Sequence, residues 1–318
     1  MASGPDTVRA ARLVALGEPL QIQEVALPAP GEDEVRVALH FGGVNPIDRY
    51  AAEGRVNPDG RRPRTLGAEA AGELDGRPVL VAGEALGAAR DGVWAQGAVV
   101  PRAAVVELPE GVAPRAAAAM GIAGLTALKC VRELAAVTAA DRVVVLGASG
   151  GVGSMIVSLA RAAGATVWGQ TGSAAKAAAI TEDGAHRVLV GGPEHIADDI
   201  VGFEPTVAFD ALGDGFVAPL VEAMSPRGRI VSFGVSAGPE VAFNMQLLYR
   251  KSLSLLGYGG ILLTREERRP GLQAALEAVR AGELKVRIDS VLALEEVNDA
   301  FRRLVDRRVQ GKLLLDLS

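Results

Sequence analysis

In the first third of the chain, apolar residues come in short runs suited to strands. Residues 35–39 alternate around Arg36, and residues 79–81 and 99–106 are short β-branched runs. Turn formers separate them: Pro28-Ala29-Pro30-Gly31, Gly42-Gly43 and Asn57-Pro58-Asp59-Gly60. Many short strands with Gly and Pro punctuation predict a small barrel-like domain. The pattern changes near residue 115. Residues 142–146 form a continuous apolar, β-branched run, as in a strand buried on both faces. A helix is predicted from Val152 to Ala163, with apolar positions at 155, 156 and 159 and a stop at Gly164. Strands follow at 166–169, 187–190, 206–209, 229–233 and 252–256, with helices at 173–181 and 217–224, and 241–250 is ambiguous between the two. Such alternation implies parallel strands with right-handed crossovers. A last helix at 272–281 and short strands at 286–291 and 312–317 close the chain.

Length and charge narrow the class. The 318 residues suit about two domains, and the mildly acidic balance (33 Lys and Arg against 38 Asp and Glu) lacks the basic excess that nucleic acid calls for. The longest apolar run, 116–128, is too short to span a bilayer. Residues 1–13 lack the apolar core of a signal peptide, so a cytoplasmic protein with no membrane partner is expected. Abundant small residues favour close helix-on-sheet packing. The single cysteine, Cys130, allows no internal disulfide and reads as a small buried hydrophobe.

The strongest local signal is Gly147-Ala148-Ser149-Gly150-Gly151-Val152-Gly153, set between a buried strand and a helix. Glycines there let backbone approach a pyrophosphate, and Gly153 lets the helix pack on the strand. Free N–H groups and the helix dipole favour the phosphates. In that context a ligand-free turn is the weaker reading, although Ala148 departs from the usual glycine pattern. An NAD-binding fold carries Asp or Glu at the end of the second strand, yet Gln170-Thr171-Gly172-Ser173 holds no acid. NADPH is therefore expected, with Thr171 among its contacts and Ser173 and Lys176 on the 2′-phosphate. Arg187 is a weaker candidate, and a solvated lysine is the plainer reading of Lys176.

Four stretches together resemble the medium-chain dehydrogenase/reductase superfamily, in its zinc-independent quinone oxidoreductase-like branch. They are Gly43-Val44-Asn45-Pro46-Ile47-Asp48, Gly124-Leu125-Thr126-Ala127, the 147–153 loop, and Gly311-Lys312. The resemblance covers nearly the whole chain. It implies an α/β protein with a GroES-like β-barrel catalytic domain, residues 1–117 and 261–318, around a doubly wound Rossmann domain, residues 118–260. It further implies that Asn45, Asp48 and Thr126 lie near the nicotinamide, that Phe233 and Gly234 border it, that Lys312 belongs to the cofactor contacts, and that a homodimer forms through residues 252–257. Zinc-dependent members of the superfamily carry Cys and Gly-His-Glu ligands, but this chain has Gly67-Ala68-Glu69 at the second place and too few cysteines for a structural site. His40, His186 and His195 show no ligand spacing.

Without a metal ligand set or an evident base, alcohol oxidation is disfavoured. Hydride delivery from NADPH to a quinone or a similar electron-poor small molecule is the expected reaction. Reduction of an enone or enoyl thioester is the alternative. It would need donors on the enolate oxygen and a proton donor, for which Asn45 and Tyr50 are the candidates; Tyr50 also reads as a core residue. A non-catalytic NADPH-binding role is the reading from another class. Arg61-Arg62-Pro63-Arg64 is either a solvated run or a holder of a substrate phosphate.

Overall fold

The computed structural model describes residues 7–318. Residues 1–6, where the expected first domain segment and the leader-free stretch begin, lie outside them. The chain divides into two units: one runs up to Leu125 and takes in Thr264–Arg280 and Val286–Ser318, the other holds Thr126–Leu263 and Ala281–Lys285.

In the first unit β1 (Thr7–Leu13) pairs antiparallel with β2 (Gln21–Ala26). Next come β3 (Glu34–Val44) and α1 (Pro46–Ala52). Sequence patterning misses α1 although its start is well marked. Pro46 takes the first helical position, and the carboxylate of Asp48 accepts a hydrogen bond from the N–H of Asn45 at 2.9 Å. Then follow β4 (Arg64–Thr65), β5 (Glu69–Leu74), β6 (Arg77–Ala82), β7 (Gly97–Pro101), β8 (Val105–Glu107) and α2 (Pro114–Leu128).

β3 organises this unit, pairing with both β5 and β7. Gly42-Gly43, expected as a turn, lies inside β3. The reason is close approach on both faces of the strand. A Cβ on Gly42 would sit 2.7 Å from the buried Trp94 ring, whose Nε1 donates to the Gly43 carbonyl at 3.1 Å. A Cβ on Gly43 would overlap the Glu69 carboxylate and the Ala118 carbonyl.

The second unit alternates as expected: β9 (Arg142–Val145), α3 (Gly151–Ala162), β10 (Thr166–Thr171), α4 (Ala177–Asp183), β11 (Arg187–Val190), α5 (Pro193–Phe203), β12 (Val207–Asp210), α6 (Val217–Ala223), β13 (Arg229–Ser232), α7 (Met245–Arg250) and β14 (Ser254–Gly257). All neighbours are parallel, in the order β11-β10-β9-β12-β13-β14, so the winding reverses between β9 and β12. This is the doubly wound Rossmann sheet, whose ligands bind beyond the carboxyl ends of the strands at that reversal. Val143, Val144 and Val145 are fully buried, as befits the sheet's centre. The ambiguous 241–250 segment resolves as α7, started by Asn244, whose side chain accepts from the Gln246 N–H at 2.9 Å. Cys130 is buried in a π-helical turn, Lys129–Leu134, and burial pushes its thiol up to about 12.

The chain then supplies α8 (Arg265–Arg280), β15 (Ile288–Ala293), α9 (Val297–Val305) and β16 (Lys312–Asp316) to the first unit. β16 lies parallel to β15 and antiparallel to β3, which completes the mixed GroES-like sheet. Among the described residues no helix is long and apolar enough to cross a membrane.

Candidate active site

Sheet register brings charged groups together at the end of β3. Gly43 is the partner of Glu69 on one side, and Val44 is the partner of Leu313 on the other. Lys312 and Glu69 therefore flank the same point of β3, where Gly43 leaves space. The Lys312 ammonium donates to Glu69 Oε1 at 2.9 Å, to Asn45 Oδ1 at 2.5 Å and to the Val44 carbonyl at 3.1 Å. Glu69 is 0 % exposed and Lys312 4 %. The other donors to Glu69 are Asn45 Nδ2 at 2.7 Å on Oε1 and the Ile122 N–H at 2.5 Å on Oε2. Every acceptor of this buried pair is thus engaged, the condition under which two charges can be held out of water.

The network also fixes Asn45. Lys312 has only hydrogens to give, so it must face the amide oxygen, and the carboxylate must face the NH₂. One Nδ2–H is committed to Glu69 and the second remains available in a set orientation. Asp48, one turn into α1, accepts from the N–H groups of Asn45 and Ala68, each at 2.9 Å. Burial first, then the nearby Glu69 charge, raise its pKa to about 7, against the two backbone donors and Lys312, which pull it down. The structure therefore gathers Asn45, Asp48 and Lys312, and adds Glu69, which the sequence reading quoted without giving it a role. Lys312, expected on the cofactor, has all three ammonium hydrogens on protein acceptors. Tyr50 is half-buried, its ring 5.2 Å from the Arg49 guanidinium and 4.1 Å from that of Arg55.

In the second unit the strand ends converge on the glycine turn. Gly147 has φ of +68°, and a Cβ on Gly153 would overlap the Gly147 carbonyl. A Cβ on Gly150 would meet only that carbonyl, at 3.4 Å, so the turn presents bare backbone outward at the start of α3. Gly151 and Val152 open that helix, and Gly150, its N-cap, offers no side chain. This cradle fits a pyrophosphate. Gln170, missed in the sequence reading, braces it: its Oε1 accepts from Gly147 N at 3.0 Å and its Nε2 donates to the Gly191 carbonyl at 2.8 Å. Ala148 is buried, while Ser149 and Thr171 place their hydroxyls 3.3 Å apart. Thr171 also accepts from Ser173 N at 3.3 Å. Lys176 closes a 3-10 turn, Ala174–Lys176, where a regular helix was expected from 173. Asp210 is fully buried, and burial raises its pKa although Leu212 N and Gly213 N donate to it. Phe233 and Gly234 follow β13, and the Phe233 N–H donates to the Asp210 carbonyl at 3.0 Å. Arg187 starts β11 opposite Trp168, stacks on that ring and pairs with Asp199. It therefore lies at the amino ends of the strands, away from the turn. Thr126 is buried in α2.

The zinc-binding dehydrogenase family model matches residues 151–277. A quinone oxidoreductase of Sus scrofa is 30 % identical over 99 % of each chain. The chain belongs to the quinone oxidoreductase-like branch of the medium-chain dehydrogenase/reductase superfamily. Among solved structures similar to this oxidoreductase, a quinone oxidoreductase of Pseudomonas syringae pv. tomato DC3000 is 26 % identical, with a TM-score of 0.85 over 97 % of this chain and 99 % of that one. An NAD-dependent alcohol dehydrogenase is 26 % identical, with a TM-score of 0.87 over 98 % and 100 %. The chain is thus an oxidoreductase of this superfamily with a nicotinamide cofactor. The family model's zinc finds no fit around Glu69. Zinc takes three or four Cys, His or carboxylate ligands, whereas here one carboxylate is neutralised by an ammonium, and among the described residues no group of three such side chains could hold an ion.

Removing the cation should expose how much the cluster holds. Lys312→Met leaves Glu69 buried and unpaired, and we expect a loss of about 3–5 kcal/mol in urea unfolding. Adding Glu69→Gln should recover part of it. A double variant no more stable than Lys312→Met would show that the ion pair is not what the fold depends on.

Asp48 sets a pH dependence. Its folded pKa lies above the unfolded value, so the stability it contributes is complete below about pH 4 and is lost as pH rises through about 7. Whatever its constant offset, Asp48→Asn should lose less stability than the parent between about pH 5 and pH 8 in chemical denaturation. Parallel curves would contradict the raised pKa.

Proposed function

We propose that this oxidoreductase takes NADPH and delivers hydride, without a metal, to a quinone or a similar electron-poor carbonyl compound. The observation that carries the reading is the Asn45 amide, held at both ends by Lys312 and Glu69 with one N–H left over. Bound NADPH supplies the hydride. As the acceptor gains that pair of electrons, charge builds on its oxygen, and a donor fixed beforehand stabilises it without reorganising. Lys312 strengthens that donor by drawing electron density towards Oδ1, while Asp48 holds the backbone of Asn45. A quinone oxygen then takes its proton from water, so no further acid is required of the chain. The full-length likeness to a quinone oxidoreductase supports the same reading.

The cofactor choice rests on the end of β10. Gln170 is turned inward as a brace, and the residues that follow it, Thr171-Gly172-Ser173, carry no acid to repel a 2′-phosphate. Anaerobic consumption of NADPH and NADH with a small quinone tests the reading. NADPH should be preferred, Asn45→Ala should lower kcat by about 100-fold, and Lys176→Ala should weaken NADPH more than NADH. Equal effects on both cofactors would remove Lys176 from the 2′-phosphate. Faster turnover of a short enone than of any quinone would move the protein to the alkene-reductase reading.

We further propose a homodimer through β14, which among the described residues pairs only with β13. Leu255 on that strand, Tyr249 before it and Ile261 and Leu262 after it are all exposed apolar side chains, as an edge kept for pairing requires. Light scattering should give twice the chain mass, falling towards the monomer in Leu255→Arg. A monomeric parent at micromolar concentration would end this assignment.

A further inference from the structure

The basic run 61–64 holds a second buried cation, and its environment is the reverse of that of Lys312. Arg64 is 3 % exposed, and its Nε and both terminal nitrogens lack a hydrogen-bond partner. A guanidinium carries five donors and no acceptor, and leaving it dry and unpaired is strongly unfavourable. The nearest side chains are donors, each with a backbone carbonyl as acceptor. The Cβ position of Gly60 lies 2.5 Å from one Arg64 nitrogen and 2.6 Å from Asn57 Nδ2. Burial first, then the like charge of Arg62, lower the pKa of Arg64, partly offset by Asp91. Asp91 Oδ1 is itself committed to Arg12 at 2.8 Å and to Thr65 N at 2.7 Å. Over the guanidinium runs the turn from Asn57 to Gly60, held by hydrogen bonds from Gly60 N to the Asn57 carbonyl at 3.1 Å, from Asn57 Nδ2 to the Ala88 carbonyl at 3.1 Å and from Arg62 Nη1 to the Pro58 carbonyl at 2.9 Å, and exposed at Asn57, Pro58 and Asp59.

We infer that Arg64, with Arg62 and Asn57 beside it, is a receptor for an oxyanion, a carboxylate or phosphate carried by the acceptor molecule. A planar guanidinium matches such a group with two parallel hydrogen bonds. The place suits the purpose. Four residues after Arg64, Ala68 donates to Asp48, so the Arg64 backbone lies within about 14 Å of the segment that holds Asn45. Identifying the carrier as the acceptor rests on the reductase reading; the oxyanion site does not.

The full chain tests both. Unfolding midpoints of the parent, Arg64→Lys and Arg64→Met are measured against inorganic phosphate and, separately, acetate, at constant ionic strength. One of the two anions should raise the parent midpoint by about 2 °C or more, raise that of Arg64→Lys less and leave Arg64→Met unmoved. Without anion, Arg64→Met should melt no lower than the parent, because it removes an unpaired buried charge. No shift in the parent, or the same shift in parent and Arg64→Met, overturns the site; the latter would put the anion elsewhere, as at the glycine turn. The source is decided by KM for a quinone bearing a carboxylate against its methyl ester. A preference of about 10-fold in the parent that vanishes in Arg64→Met assigns the anion to the acceptor. A midpoint shift with no such preference overturns the acceptor and leaves free phosphate or carboxylate as ligand. If neither quinone is reduced, the reductase reading fails while the midpoints still decide the oxyanion site.

Discussion

The buried pair of Lys312 and Glu69 joins residues 243 positions apart in the chain. The first unit is made of separate stretches of sequence, and β16 pairs with β3 across the whole second unit in the chain. Apolar strands alone specify such a return loosely, because Leu313, Leu314 and Leu315 are all buried and similar in shape. A charge at the head of the strand resolves the ambiguity. Slipping β16 by one residue would turn Lys312 to the opposite face and strand both charges, a penalty no leucine shift would incur. The same pair sets Asn45, so the strand register and the orientation of the candidate donor follow from one interaction.

The second unit meets a different constraint: its ligand site must be backbone. A turn that presents its N–H groups outward must keep side chains out of the way, which fits Gly150, whereas Gly147 is set by its positive φ and Gly153 by its close approach to the Gly147 carbonyl. A turn made of glycine has little stiffness of its own. Gln170 supplies it from below through bonds to Gly147 and Gly191, and Asp210 does the same for the turn after β12 through Leu212 and Gly213. Two buried polar side chains thus hold the rims on either side of the point where the sheet reverses.

These differences explain what the sequence could disclose. The Rossmann half was legible because its central strands are buried on both faces and each crossover is local, so 142–146 and 229–233 announce themselves without knowledge of their partners. The barrel half was less so. Gly42-Gly43 reads as a turn because the large side chain they accommodate, Trp94, and the carboxylate of Glu69 arrive from distant sequence. Helix α5 escaped because its apolar positions are sparse: Ile196, Ile200 and Phe203 are its buried residues, among Glu194, Asp198 and Asp199. Helix α9 was readable in principle, from Val297, Ala300, Phe301, Leu304 and Val305 at helical spacing, and so was α1, from Pro46 and Asp48 after Asn45. The partnership of Lys312 with Glu69 was not, since neither residue carries any local mark of the register that joins them.

Lys312 and Arg64 show how burial alone fails to define a role. Lys312 has three donors on three protein acceptors, so it has nothing left for a ligand and acts only through Asn45 and the strand it anchors. Arg64 has comparable burial and no hydrogen-bond partner. The first is a closed account of charge, the second an open one. The pairing of Lys312 with Glu69 ties β16 to β5 across β3, but nothing in the packing of this unit calls for a guanidinium at 64: an apolar side chain on β4, beside Leu13, would bury as readily and without the electrostatic penalty. A cation kept where the fold would be better served by a hydrophobe belongs to recognition, and this separates the part of the first unit that maintains its structure from the part that can select what it binds.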